Sequence, residues 1–146
     1  MAGVSTLACV FEDLVDALSS VIEKNHIFLN DRPDVNEDDK PMKRFCVINL
    51  PVSINDYVIG GEKTMMNTAG IMYLFVKSRK NSSLDPNSTG EFIDSVEKLF
   101  PIKGTYVVAT SPVVQLKGSD GYGYQVVTIS FFLRSRWKVF ASQGNQ

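Results

Sequence analysis

The chain has 146 residues, 44% of them hydrophobic and 21% charged, the balance of a single globular domain (residues 1–146) that can bury a core without metals or disulfides. Fifteen Lys and Arg stand against sixteen Asp and Glu, a net charge of −1. That excludes a strongly basic nucleic-acid binder, because neutralising phosphates needs a clear basic excess.

No apolar run reaches the roughly 18 residues of a membrane span. No base precedes Lys24, while Glu12 and Asp13 do, so a signal peptide is not expected. Two cysteines, Cys9 and Cys46, are too few for a disulfide framework and read as reduced, buried thiols. The ordered core is expected over residues 5–136, with a flexible tail at 139–146.

The first element is an amphipathic helix. Leu7, Val10, Phe11, Leu14, Val15, Leu18, Val21 and Ile22 recur at helical spacing, and Glu12, Asp13, Asp16, Ser19, Ser20 and Glu23 take the other face. A membrane-surface helix needs bases on its polar face, and this one offers only Lys24. Residues 30–44 form a polar, Pro-interrupted loop. Arg44–Leu50 reads as a strand, with Phe45 and Val47 on one face and Cys46, Ile48 and Leu50 on the other.

Asp56–Ile59 followed by Gly60-Gly61 reads as a short strand entering a turn. Thr68–Lys77 is apolar on both faces, as in a central strand covered on both sides. The spacing of Ser88 and Glu91 predicts a capping box, followed by the stripe Phe92, Ile93, Val96, Leu99 and Phe100 and ended by Pro101 and Gly104. Strands are expected at Thr105–Ser111, Val113–Leu116 and Tyr124–Arg136, with a hairpin turn over Lys117–Gly123.

In the last strand Val127, Ile129, Phe131 and Leu133 form the core face. Tyr124, Val126, Thr128, Ser130 and Phe132 form a mixed face, suited either to partial exposure or to meeting another subunit. The reading is α+β: two helices packed on a mostly antiparallel sheet in the order α-β-β-α-β-β, with room for an extra short hairpin. Val10, Phe11, Leu14, Leu18, Ile71, Phe75, Phe92, Val96, Phe100, Val127, Ile129 and Phe131 are expected to share one layer between helices and sheet.

Chemistry-bearing patterns are sparse. His26 is the single histidine and has no orienting partner motif. Asp34, Asn36 and Asp38 occupy the first ligand positions of a calcium loop, but Asp39 stands where Gly is required and Phe45 where a bidentate Glu is required. No zinc spacing exists. Gly118, Gly121 and Gly123 lie between two strands, so they read as turn glycines and not as a phosphate cradle. Asn81-Ser82-Ser83 and Asn87-Ser88-Thr89 match glycosylation acceptors, which carry no weight without a secretory signal. No enzyme activity, catalytic residue, metal or cofactor is expected.

Charge is segregated along the chain. Residues 1–39 hold nine acids and two bases, a net −7; the remainder holds thirteen bases and seven acids, a net +6. Such division suits heterologous contact between copies, or neutralisation within one subunit. The first alternative places Asp34, Glu37, Asp38 and Asp39 of one copy against Lys77, Arg79, Lys80, Arg134, Arg136 and Lys138 of the next, with Val126 and Phe132 supplying apolar attraction.

The helix over Leu7–Ile22, the charged loop, the stretch RFCVINLPVSINDYVIGGEKTMMNTAGIMYLFVK, the helix EFIDSVEKLF and the closing VVTISFFLRSR together resemble the tail-terminator (tail-completion) and neck-ring proteins of tailed bacteriophages. The resemblance covers residues 5–136 as a pattern of elements and lengths. It implies a small α+β domain forming a homo-oligomeric ring, commonly a hexamer, at the head-proximal end of the tail. The ring would stop tube growth and join tail to head, with tail-tube and head-completion proteins as partners. It would belong to the virion and be assembled in the host cytoplasm. Two alternatives are a ring component of a short-tailed phage and a non-viral α+β adaptor.

Overall fold

A computed structural model describes residues 6–31, 43–50, 56–59, 62–65, 68–79 and 83–135. The polar loop and the C-terminal tail expected from sequence lie, for residues 32–42 and 136–146, outside the described residues. The elements run α1 (Thr6–Leu18), a 3₁₀ turn (Lys24–His26), β1 (Ile27–Leu29), β2 (Arg44–Asn49), β3 (Asp56–Ile59), β4 (Glu62–Met65), β5 (Thr68–Lys77), α2 (Pro86–Glu97), β6 (Ile102–Lys103), β7 (Val107–Ser119) and β8 (Tyr124–Ser135). The architecture is α+β: two helices and a six-stranded, mostly antiparallel sheet in the order β1-β2-β5-β8-β7-β6, beside a separate β3–β4 ribbon. The β1–β2 pair alone is parallel in the six-stranded sheet.

Both helices lie on one face of that sheet. Cys9, Val10, Leu14 and Leu18 of α1 and Phe92 and Val96 of α2 are wholly buried against Cys46, Ile48, Met72, Leu74, Val107, Ala109, Val127, Ile129, Phe131 and Leu133. The period of about 3.6 in the helices and 2 in the strands therefore converges on one layer. α1 is shorter than its apolar stripe: it ends at Leu18, whose carbonyl accepts from Val21 and Ile22, and the chain turns so that Ile22 is buried outside the helix.

The N-terminus of α2 corrects the expected capping box. The cap is Asp85, three residues before Ser88; its Oδ1 accepts the N–H groups of Asn87 (3.1 Å) and Ser88 (3.3 Å), and Pro86 opens the helix. Pro at the first helical position sacrifices no donor, so Asp-Pro is the stronger start signal. The Ser88 N–H first, and Arg79 as well, hold the Asp85 carboxyl below the ordinary aspartate range.

Ile71 and Phe75 are not in the helix-side layer. They alternate with Met72 and Leu74 and point to the opposite face; Phe75 is buried there and Ile71 is half-exposed. Phe11 and Phe100 flank the helix-side core without being fully buried. The two strands expected at Thr105–Ser111 and Val113–Leu116 are one strand, β7, irregular at Thr110/Val113 and Leu116/Gly118. Ser111 takes φ 58° at the first irregularity, where Pro112 can donate nothing to a ladder. Gly118 at the second irregularity of β7, and Gly121 and Gly123 in the turn into β8, all take positive φ (91°, 79° and 93°), which suits residues without a Cβ.

Two polar side chains fasten distant segments. Asn30, at φ 61°, accepts the Leu50 N–H on Oδ1 (2.9 Å) while its own N–H donates to the Ile48 carbonyl (2.8 Å), so it ends β1 against β2. Asp13, assigned by sequence to the solvent face of α1, is only 6% exposed. Its Oδ2 accepts the N–H groups of Tyr106 (2.6 Å) and Val107 (2.9 Å), tying α1 to the β6–β7 turn. Gly104 lies against that carboxyl group, where a Cβ would overlap it.

Candidate assembly surface

The face of the sheet opposite the helices has two halves. Over β1, β2, β5 and the start of β8 an aromatic cluster closes on itself. The Phe45 and Phe75 rings stack at 4.4 Å with 6° between planes, and Tyr124 and Phe28 meet Phe45 edge-on at 5.0 and 6.1 Å. Phe45, Val47, Phe75 and Tyr124 are buried, with Tyr73 and Val126 packed at the margin. This is a second, smaller core. β8 alternation puts Val126 beside Tyr124, where it is partly buried at the margin of the aromatic cluster.

The other half is open. Phe132 is 62% exposed on β8 and Val113 57% exposed on β7. Ala69, Ser111, Val113, Ser130, Phe131 and Phe132 line a shallow apolar depression of about 220 Å³. Its origin is local: the β7 irregularity at Ser111-Pro112 resets the register so that Val113 pairs with Ser130, on the face that Phe132 shares. Arg134, two residues beyond Phe132 on that face, is exposed. Phe132 and Arg134 are thus brought together as expected from alternation, and Val113 joins them without having been anticipated.

The remaining expected contact residues do not converge here. Lys77 is exposed at the opposite end of β5, paired in register with Tyr124. Arg79 is engaged within the chain, 3.4 Å from Asp85. Asp34, Glu37, Asp38, Asp39, Lys80, Arg136 and Lys138 lie outside the described residues. Among the described residues no ion pair joins the N-terminal acids to Lys77, Arg79 or Arg134; Asp16 is held by Lys24 at 3.3 Å.

A second cavity of about 360 Å³ lies between α1 and the turn around β6, lined by Asp13, Asp16, Leu99 and residues 101–105. Its Asp13 carboxylate is committed to backbone donors. His26 sits in the 3₁₀ turn, 3.7 Å from Glu23. Cys9 and Cys46 are buried and form no disulfide, and burial pushes the Cys46 thiol up, away from the reactive thiolate. Partial burial first, with Cys9 and Glu12 nearby, raises the Tyr106 phenol. Among the described residues no three His, Cys, Asp or Glu side chains group to hold a metal, and no helix is long and apolar enough to cross a membrane.

Comparison with known proteins finds no matching family model and no matching curated protein. Among the described residues, the sheet is covered on one face by the helices, and half of its other face carries an apolar depression with a neighbouring arginine. Such a surface is suited to binding a complementary apolar surface.

Proposed function

We propose that this chain is a non-enzymatic structural protein of a tailed-phage virion. It assembles head-to-tail into a ring at the head-proximal end of the tail, ending tube growth and presenting the surface that joins tail to head. The observation carrying the assembly reading is the exposure of Phe132 and Val113 beside the depression on the sheet face away from the helices. The −7/+6 division of charge along the chain supports copies meeting through unlike surfaces. The resemblance in element order and lengths supports the phage setting, with tail-tube and head-completion proteins as neighbours.

The test is twofold. Purified protein examined by size exclusion with light scattering should give one defined higher oligomer, seen as rings by negative-stain microscopy. Removing the protein from phage particles during infection should leave tails of uncontrolled length that fail to join heads. A monomer or dimer with normal tails in its absence would favour the adaptor reading.

A further inference from the structure

We propose that the depression receives the tip of the β7–β8 hairpin of a second copy, with Tyr122 as the inserted side chain. This rests on the self-assembly reading above and gives it a specific contact.

The described large apolar side chains that stand most exposed are Val113, Leu116, Tyr122 and Phe132, and all four belong to this one hairpin. They form two groups. Val113 and Phe132 border the depression; Tyr122, 65% exposed, sits at the tip, with Leu116, 64% exposed, below it on β7. Eight residue steps of β8 separate Tyr124, next to the tip, from Phe132, about 26 Å at roughly 3.3 Å per residue. A knob and a hole that far apart on one molecule cannot meet each other, but they can meet between copies. The contact they make is heterologous, which closes into a ring when the rotation permits.

The tip is built to present a side chain. Asp120 Oδ1 accepts the N–H groups of Tyr122 (2.7 Å) and Tyr124 (3.1 Å), Ser119 Oγ accepts that of Gly121 (3.1 Å), and the Asp120 N–H donates to the Tyr124 carbonyl (2.9 Å). A turn held this way loses little further freedom on docking. Tyrosine brings large apolar area and a polar end with few rotatable bonds, suiting a shallow site at the edge of solvent. Charge agrees: the tip carries Asp120 and the depression is flanked by Arg134. The outer side of β7 beyond its short pairing with β6 is a poorer docking element, because Pro112 has no N–H to donate and the strand is irregular at two points.

The experiment uses complementary variants, Tyr122→Ser (knob removed, hole kept) and Phe132→Ser (hole removed, knob kept), each checked for native far-UV circular dichroism and sized by light scattering. Wild type should be a defined oligomer. Each variant alone should need at least a tenfold higher concentration to assemble. Their equimolar mixture should recover one junction and give a 1:1 heterodimer that grows no further. A Tyr122→Ser protein with wild-type mass and concentration dependence overturns this contact and leaves the ring standing. A mixture that stays monomeric, with both variants folded, also overturns it. A wild type that is monomeric throughout overturns the ring reading and this contact together.

Discussion

Asp13 offers the sharpest test of how the fold is held. Its buried carboxylate satisfies two backbone donors in the β6–β7 turn, one on the fully buried Val107 and one on the half-buried Tyr106. In Asp13→Ala both lose their acceptor. An unsatisfied buried donor costs about 1–3 kcal/mol, and the Tyr106 side of the turn can partly rehydrate, so the expected loss is about 2–5 kcal/mol. Asp13→Asn keeps an acceptor oxygen and gives up the charge, so it should lose about 1–2 kcal/mol by the difference between charge-assisted and neutral bonds. Glu12→Ala, one residue away and exposed, should stay within about 0.5 kcal/mol. Urea denaturation followed by far-UV circular dichroism, at one fixed protein concentration, gives all three values. An Asp13→Ala protein as stable as Glu12→Ala would refute the anchoring role.

Gly104→Ala should act on the same joint from the other side, losing about 1–3 kcal/mol because its Cβ overlaps the Asp13 carboxyl group; combined with Asp13→Ala the losses should be less than additive in a double-mutant cycle. Phe45→Ala should cost about 3–5 kcal/mol by chemical denaturation, since Phe45 is wholly buried at the centre of the second aromatic cluster. Leu14→Ala should cost about 2–5 kcal/mol; a change under about 0.5 kcal/mol would contradict helix-on-sheet packing. The Asp85 carboxyl is held below its ordinary value of 3.8 in the fold, so its support of α2 is present above that value and is lost as pH falls through the lowered one. Asp85→Asn should therefore differ from wild type at neutral pH and converge with it in acid, measured by thermal melts across pH.

The parts of the fold legible in sequence are those with a strong period. β5 spans Thr68–Lys77 as its apolar run indicates, and Val127, Ile129, Phe131 and Leu133 lie on the helix side. What sequence missed has physical reasons. β1 and β6 have three and two residues, too short to show alternation. The faces of Ile71 and Phe75 are not legible from sequence because β5 is apolar on both sides, which leaves its parity open. Asp13 falls three residues after Val10 and directly before Leu14, on the edge of the buried arc, yet a carboxylate there reads as solvent-facing until its backbone donors, over ninety residues away in sequence, are seen. On the candidate surface, alternation alone exposes Phe132. Val113 depends on the register reset at Ser111-Pro112, whose sign in the sequence is Pro112, and Tyr122 lies in a turn whose glycines give no indication of its exposure.

If copies of this chain join through unlike surfaces into a closed ring, the assembly has one fixed mass. Light scattering on the size-exclusion peak, repeated over a hundredfold range of concentration, tests it most directly. The expected result is a single mass that is a whole-number multiple of 16.2 kDa, above the dimer. Reversing Arg134 and Arg136 together to Glu should weaken the oligomer, and that weakening should shrink in high salt, which screens the repulsion the change creates. A mass of 16.2 kDa throughout the concentration range would contradict the closed ring.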